Sequence, residues 1–142
     1  MQLQIRRLNE HSIIPTRATE HSAGLDLHAS ADMAVASGWR VTVPTGISVA
    51  IPHGHVGELY IRSGHARKRG LSLANGVGVI DSDYRGEIMA IVENRGHTPY
   101  VIKKGERFAQ LVIKEYVKAD VMEVEELDET VRSTGGFGST GS

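Results

Sequence analysis

Hydrophobic and polar residues alternate with a period of two along several short segments of this chain. The apolar positions of these segments are Leu3 and Ile5, Val41 and Val43, Ile47, Val49 and Ile51, Ile88, Ala90 and Val92, and Met122 and Val124. Turn-forming stretches rich in glycine and proline separate them. A period of two is typical of half-buried β-strands. The pattern therefore predicts an all-β fold of many short strands, as a sandwich, a jelly roll or a barrel.

One segment predicts a short helix instead. Residues 63–69 can form two turns, with Ser63 as the N-cap and Gly70 as the stop. The simplest interpretation is a capped helix with a basic, solvated face. Arg62, Ser63 and Gly64 equally suit an anion site, because a hydroxyl, a glycine and helix N–H groups meet at the end of a strand.

Length and charge narrow the class of protein. The chain has 142 residues, 16 Lys plus Arg, 17 Asp plus Glu, a formal net charge of −1 and no Cys. These values fit one domain and argue against nucleic acid or a membrane as partner. The lack of cysteine excludes disulfides, thiolate metal sites and a Cys nucleophile. Since no apolar stretch reaches membrane-span length, we expect a cytoplasmic protein, or a nuclear or organellar one if a targeting segment was removed.

Glycine is over-represented and unevenly distributed. The chain has 16 glycines, and four of them lie in the last eleven residues, 132–142. This composition is too poor in apolar area to pack a core, so a frayed terminus is one interpretation. Phe137 between two glycines favours the other one, in which closely spaced N–H groups and hydroxyls bind phosphate.

The segment 76–87 carries the clearest candidate chemistry. Gly76 and Gly78 alternate along a predicted strand and would leave one face bare for a flat ligand. Asp81, Asp83 and Tyr84 follow at its end. The acids could simply make turn hydrogen bonds. A carboxylate at a strand end could also activate water as a general base.

Other candidate sites are few. Gln110 shares a predicted strand face with Phe108 and Val112, so it needs a polar partner, a ligand or solvent. His53 and His55 lie in a turn and are interpreted as surface residues. Without a histidine-based site, any catalytic metal is expected to be a hard cation held by oxygens, such as Mg²⁺ with phosphates.

Taken together, five segments resemble, in order and spacing, the motifs of the trimeric deoxyuridine triphosphate nucleotidohydrolase (dUTPase) family. They are residues 23–27, 62–66, 75–86, 105–111 and 132–141, and they span almost the whole chain. The resemblance implies an enzyme that hydrolyses dUTP to dUMP and pyrophosphate with Mg²⁺. Such an enzyme limits uracil incorporation into DNA and supplies dUMP for dTMP synthesis.

The resemblance also implies an architecture. The fold would be a distorted jelly roll of the β-clip type with one short helix. Three copies would form a homotrimer that exchanges C-terminal arms, and each active site would draw on several subunits. Residues 1–128 would form the jelly-roll domain, and residues 129–142 a Gly-rich arm that closes the site.

Individual roles follow from the same resemblance. Asp81 would activate the attacking water and Tyr84 would pack on the deoxyribose. Asp26 would help to hold Mg²⁺ through water, since the substrate phosphates provide most ligands. The other substrate-binding positions would be Arg62, Ser63, Gly64, Asn75, Gly78, Val79, Met89, Gln110, Arg132, Phe137, Gly138, Ser139 and Thr140.

Some of these positions would bind uracil and the others would bind the phosphates. Backbone groups near Gly78, with Asn75, would read uracil, and Phe137 would stack on it. Arg132, with the two arm hydroxyls, would bind the γ-phosphate end. The chain departs from the family at Ile61, where many members have Pro, and at residues 133–134, where Gly is usual.

Two alternatives remain open at this point. A dCTP deaminase of the same superfamily would need a glutamate three residues before Asn94, where this chain has Ile91. A non-enzymatic β-rich module would require a broken site, yet every proposed catalytic position is intact.

Overall fold

Almost all regular structure in the computed structural model, which describes residues 1–136, is β. The strands are β1 (Gln4–Arg7), β2 (Leu25–His28), β3 (Met33–Val35), β4 (Arg40–Pro44), β5 (Ile47–Ala50), β6 (His55–Ile61), β7 (Leu71–Leu73), β8 (Gly78–Ile80), β9 (Met89–Asn94), β10 (Tyr100–Ile102) and β11 (Arg107–Glu115). One helix, α1 (Ser63–Arg69), follows β6. The prediction of an all-β fold with one short helix is confirmed.

The strands form four open antiparallel sheets. Their orders are β1-β5, β10-β3, β2-β11-β6-β8 and β4-β9-β7. In the four-stranded sheet, Leu111 of β11 lies opposite Leu59 of β6, which lies opposite Gly78 of β8. Strands β2 and β8 are the two edges of this sheet, and both lead into the candidate site.

The core lies between the sheets. Its largest fully buried side chains include Phe108, Leu27, Leu59, Ile88 and Val92. The alternation predicted from the sequence places the apolar side chains of β4, β5 and β9 on this inner side. Burying these side chains stabilises the fold by about 25 cal/mol per Å² of apolar surface removed from water.

Strand β11 contains an irregularity that changes which residues share a face. Its register against β2 shifts between Arg107 and Ala109, as in a β-bulge. As a result Phe108 and Ala109 are both fully buried, while Gln110 is only half-buried. The expectation that Gln110 shares a face with Phe108 is therefore wrong.

The bounds of helix α1 agree with the sequence, but its cap does not. Gly70 ends the helix in the left-handed region, with φ of 66°. Arg62, not Ser63, occupies the N-cap position, and it makes no side-chain cap hydrogen bond. Ser63 is therefore the first helical residue, and its hydroxyl is not used to cap the helix.

The last part of the described chain forms no strand. Residues 117–134 are exposed, including Val117, Val121 and Val131. The prediction of a strand at Met122 and Val124 is wrong for the single chain, because no neighbouring strand pairs with it. The boundary at 128/129 stays a prediction, but the last strand already ends at Glu115.

Across residues 1–136, no helix has the length and apolar character needed to span a membrane.

Candidate active site

Asp81 lies directly after β8 and borders a cleft between β8 and β9. The cleft has a volume of about 280 Å³, and we call it the Asp81 cleft. It is lined by Thr42, Val79, Ile80, Asp81, Tyr84, Glu87, Met89 and Ile91. A recess of about 140 Å³ extends it to Asn75 and Gly78. The structure thus brings Asn75, Gly78, Val79, Tyr84 and Met89, which were predicted to bind uracil and the sugar, close to Asp81, the predicted general base.

The turn that carries Asp81 is held by an arginine. The Arg85 guanidinium donates hydrogen bonds to the carbonyl oxygens of Ser82 (2.7 Å) and Tyr84 (2.9 Å). The Tyr84 N–H donates to the Asp81 carbonyl oxygen at 3.2 Å. Among residues 1–136, no donor reaches the exposed carboxylate of Asp81. This geometry does not support the turn-stabilising interpretation of Asp81 and leaves its carboxylate available as a base.

Tyr84 is fixed at the edge of the Asp81 cleft by its neighbours. Its hydroxyl donates to the Glu87 carbonyl oxygen at 3.1 Å. Its ring lies so close to Gly86 that a Cβ atom there would overlap the ring and hydroxyl atoms. The sequence assigns Gly86 to a turn, whereas the structure shows that Gly86 also makes room for the tyrosine.

The two glycines before Asp81 do not leave a bare strand face. Gly76 lies in a turn before β8, with φ of 72°. Gly78 is in β8, but the space beside it is filled by Leu59. A Cβ atom added to Gly78 would lie 2.9 Å from the Leu59 Cβ. What β8 offers the cleft is its free edge, because an edge strand has unpaired N–H and C=O groups.

A second cleft brings together three of the residues predicted to bind phosphate, Arg62, Ser63 and Gln110, whereas Gly64 and Arg132 do not line it. Its volume is about 160 Å³, and we call it the Arg62 cleft. It is lined by Ala18, Ser22, Gly24, Asp26, Arg62, Ser63 and Gln110. A carboxamide, hydroxyls and a guanidinium in one concave surface suit an oxyanion.

Asp26 organises the Arg62 cleft. Its side chain is 8% exposed, and its two carboxylate oxygens pair with Arg62 Nε at 3.2 Å and with an Arg107 guanidinium nitrogen at 3.1 Å. The backbone N–H of Arg62 also donates to the Phe108 carbonyl oxygen at 3.0 Å. Two guanidinium groups on one carboxylate leave a net positive charge at the cleft. The sequence did not identify Arg107, which is 81 residues from Asp26.

Gln110 enters the Arg62 cleft because Gly24 leaves space for it. A Cβ atom on Gly24 would lie 2.6 Å from Gln110 Oε1. Gln110 lies opposite Asp26 on β2 and opposite Tyr60 on β6. The polar side chain therefore lies beside Asp26 and faces the cleft.

The two clefts lie in different parts of the folded protein. They share no lining residue, and β2 and β8 are opposite edges of the four-stranded sheet. With strands about 4.8 Å apart, these edges are separated by about 14 Å. A general base must be within hydrogen-bond reach of the water that attacks phosphorus. A single chain therefore does not place Asp81 beside the Arg62 cleft.

The predicted arm residues are only partly described. Arg132 is exposed, and its Nε donates to the Gly135 carbonyl oxygen at 2.8 Å. Ser133 adopts a left-handed backbone with φ of 44°, which glycine adopts more easily. Phe137, Gly138, Ser139 and Thr140 lie outside the described residues.

A larger depression, of about 550 Å³, lies on the other side of Asp81. Its lining includes His53, His55, Asp83, Tyr116 and Lys118. The interpretation as an exposed turn residue holds for His53, whereas His55 is half-buried as the first residue of β6. Their proximity to Asp81 comes from sheet pairing and had no local signal.

His28, next to Asp26 along the sheet edge, carries a testable pH dependence. Burial lowers its pKa, and the Arg107 and Arg62 guanidiniums lower it further, against the opposing effect of Asp26. The unfolded chain therefore binds a proton more readily than the native one below about pH 6.5. We expect the free energy of unfolding to fall as the pH drops below this value, until native His28 itself is protonated.

The measurement is urea unfolding at pH 7.5 and pH 5.5. His28→Gln should lose less stability between the two pH values than the native sequence. His21→Gln, at an exposed turn residue, is the control and should keep the native pH dependence. Equal pH dependence in all three proteins would contradict the assignment to His28.

Comparisons with known proteins identify the family and the fold. The profile of the dUTPase family matches residues 10–141. A deoxyuridine 5′-triphosphate nucleotidohydrolase of Nautilia profundicola is 45% identical over 141 residues, covering 99% of each chain. The match to both chains in full supports a shared fold and activity.

Solved structures give the same family. The dUTPase of Staphylococcus bacteriophage 80alpha, in complex with dUpNHpp, matches with a TM-score of 0.92, 28% identity and 99% coverage of each chain. A mutant dUTPase of phage phi11 of S. aureus, described with a structural Mg(II) ion, matches with a TM-score of 0.83 and 26% identity. That match covers 89% of this chain and 98% of the phage chain. The predicted jelly-roll fold is confirmed, and the chain belongs to the dUTPase family of deoxyuridine triphosphate nucleotidohydrolases.

Proposed function

We propose that this dUTPase uses Asp81 to activate the water that attacks the α-phosphorus of dUTP. The carboxylate takes a proton from the water as the water oxygen bonds to phosphorus. The bond between the α-phosphorus and the bridging oxygen breaks, and pyrophosphate leaves with the bonding electrons. dUMP is the other product, and the proton on Asp81 returns to solvent.

The observation that carries this proposal is the unengaged carboxylate of Asp81 beside Tyr84. A general base must be able to accept a proton, and a carboxylate already bound by donors does so poorly. Arg85 holds the turn through carbonyl oxygens, so the turn does not need the Asp81 side chain. In this proposal Tyr84, next to Asp81, packs against the sugar and excludes a 2′-hydroxyl.

The Asp81 cleft suits a pyrimidine. Its apolar side chains, Val79, Met89 and Ile91, are each partly exposed in the single chain, which leaves a surface for a flat ring. The free edge of β8 can supply backbone donors and acceptors to the ring, with Asn75 beside it. A methyl group at C5 would meet closely packed backbone, so thymine is expected to be excluded.

The Arg62 cleft suits the triphosphate. Arg62 and Ser63 supply charge and a hydroxyl, Gly64 allows close approach, and Gln110 holds a phosphate oxygen or a water. Asp26 keeps the Arg62 guanidinium in place through the 3.2 Å ion pair. Charge stabilisation of this kind provides most of the catalysis in phosphoryl transfer.

The residues present fit Mg²⁺ only as an ion held mainly by substrate. Within residues 1–136, no group of three or more His, Cys, Asp or Glu side chains is placed to bind a metal. Asp26 has one lone pair free on each oxygen beyond its arginine contacts and can accept from a metal-bound water. Mg²⁺ retains several waters and prefers phosphate oxygens, which matches this donor set. When bound, it would neutralise charge on the phosphates.

The separation of the two clefts supports a homotrimer with exchanged arms. If the Asp81 cleft of one copy faces the Arg62 cleft of another, the Asp81 carboxylate, the attacking water and the phosphates come together. The exposed apolar side chains of the segment 117–131 support the same arrangement, because they need a covering surface. Residues 129–142 would then close a neighbouring site.

The structure gives no support to deamination. At the position where a deaminase carries glutamate, Ile91 lines the Asp81 cleft. Glu93, two residues on, pairs with Arg95 at 3.6 Å. No observation favours a module without activity.

A substrate panel tests the proposed function. In the presence of Mg²⁺, the protein should release pyrophosphate from dUTP and at least about 10²-fold less from dTTP, dCTP or UTP, because each analogue adds a clash or leaves polar groups unpaired. Chelation of Mg²⁺ should lower the rate. Release of ammonia from dCTP would instead identify a deaminase.

A further inference from the structure

Helix α1 is attached to the rest of the protein through a histidine. His65 is the only buried side chain of this seven-residue helix, and the other side chains of α1 are exposed. A surface helix normally packs through an apolar stripe, which α1 lacks. Apart from backbone hydrogen bonds at Arg62 and Gly70, α1 is therefore held mainly by what His65 contacts.

His65 contacts a half-buried carboxylate, that of Glu106, in the turn just before β11. Its Nε2 lies 2.7 Å from Glu106 Oε1, and the Tyr100 hydroxyl donates to the same oxygen at 2.5 Å. The Lys103 N–H donates to Glu106 Oε2 at 2.8 Å. We call His65, Tyr100 and Glu106 the Glu106 clasp. It joins α1 to β10 and to the turn before β11.

Aromatic contacts reinforce the Glu106 clasp. The His65 and Tyr100 rings meet edge to face, with centroids 6.0 Å apart. One helical turn further, the Arg69 guanidinium carbon lies 4.9 Å from the Tyr100 ring centroid. Both inward contacts of α1 thus converge on Tyr100.

The pKa shifts in the Glu106 clasp keep Glu106 as the hydrogen-bond acceptor and Tyr100 as a donor. Burial acts to raise the pKa of Glu106, but hydrogen bonds from Tyr100, the Lys103 N–H and His65 together bring it below its usual value. Burial and the hydrogen bond to Glu106 raise the pKa of Tyr100. Glu106 is therefore an ionised acceptor and Tyr100 a protonated donor at neutral pH.

The clasp lies next to the contacts that build the Arg62 cleft. Glu106 is followed by Arg107, which shares Asp26 with Arg62. Besides the hydrogen bonds from Arg62 to carbonyl oxygens of β11, the start of α1 is thus tied to this region through two carboxylates, Asp26 and Glu106. The first tie holds the Arg62 guanidinium, and the second holds the helix that begins with Ser63.

We propose that the Glu106 clasp is a positioning device for the triphosphate. It holds α1 so that Arg62 and Ser63 stay at the mouth of the Arg62 cleft in the orientation that phosphate oxygens require. Neither His65 nor Glu106 touches substrate in this arrangement. The inference rests on the proposed function, because it assigns the phosphates to the Arg62 cleft.

The test compares two substitutions of His65. His65→Leu removes the donor to Glu106, whereas His65→Gln places an amide donor at similar reach. For His65→Leu we expect kcat/KM for dUTP to fall about tenfold or more, mainly through KM, because phosphate contacts are made in both ground and transition states. The inhibition constant of deoxyuridine, which has no phosphate, should stay within about twofold of the native value. His65→Gln should recover most of the loss.

Tyr100→Phe and Lys68→Gln complete the experiment. Tyr100→Phe removes one hydroxyl but keeps the ring, so it should show a smaller loss with the same KM effect even if His65→Leu does not fold. Lys68 is exposed on α1, and Lys68→Gln should behave as native.

Two results would overturn the proposal. One is native kcat/KM in both His65→Leu and Tyr100→Phe. The other is a parallel rise in KM for dUTP and in the inhibition constant of deoxyuridine, which would mean general loss of structure. Failure of the proposed function itself would be seen separately, as a native protein that releases no pyrophosphate from dUTP.

Discussion

Replacing Asp81 by Asn should lower kcat for dUTP by about 10²–10⁴-fold, the usual contribution of a general base. Asparagine has the size of aspartate but cannot accept the proton from water. The turn should keep its shape, since Arg85 and the Tyr84 N–H hold it through carbonyl oxygens and no described donor binds the Asp81 carboxylate. Binding of dUTP should therefore stay within a few-fold of native.

Steady-state kinetics and binding of a non-hydrolysable dUTP analogue measure the two effects separately. Asp83→Asn is the matched control, because Asp83 is exposed in the same turn but does not line the Asp81 cleft. It should leave kcat near native. Native turnover in Asp81→Asn, or an equal loss in Asp83→Asn, would rule out Asp81 as the base.

Local sequence patterns identify the parts of this fold that depend on neighbours along the chain. The two-residue alternation at Val41 and Val43 corresponds to β4, and Gly70 marks the end of α1. Both signals act through the backbone of a few adjacent residues. The short strands β3 and β10, with three residues each, are too brief to show a period.

The site could be predicted as residues but not as contacts. Asp81 and Tyr84 stand out because an acid and an aromatic follow a strand. The pairing of Asp26 with Arg107, or of His65 with Glu106, depends on which strands become neighbours. No local pattern carries that information, since these partners are separated by 81 and 41 residues.

Glycine illustrates the same limit. Its position near a site is visible in the sequence, but the reason for it is not. Gly86 makes room for the Tyr84 ring, Gly24 for Gln110, and Gly78 for Leu59. The reasons for Gly24 and Gly78 lie in neighbours across the fold, and the reason for Gly86 lies in the ring position of Tyr84 within the same turn. A bare ligand-facing strand was therefore the wrong interpretation for Gly78.

The wrongly predicted strand at Met122 and Val124 has a different cause. The alternation is real, but among the described residues of one chain the segment 117–136 makes hydrogen bonds only within itself, as at Ser133 and Gly135. A strand needs a partner edge to satisfy its backbone groups. An arm that pairs with another copy would have this pattern and no strand in isolation.

Removal of residues 132–142 should therefore reduce kcat/KM for dUTP by about 10²-fold or more, because in the proposed function the arm would provide Arg132 and close the site against water. The folded body should be unaffected, with a change in Tm below about 2 °C, since exposed segments contribute little to stability. The oligomer should also persist, because the exposed apolar segment before residue 132 is retained.

Kinetics, thermal unfolding and the mass in solution measure the three effects. A longer deletion, of residues 117–142, is the informative comparison, since it also removes the apolar side chains at Val121 and Leu127. It should weaken assembly as well as activity. If the shorter deletion unfolded the protein or dissociated the oligomer, residues 132–142 would be part of the fold and not a closing arm. If it left kcat/KM unchanged, the arm would have no role in the reaction.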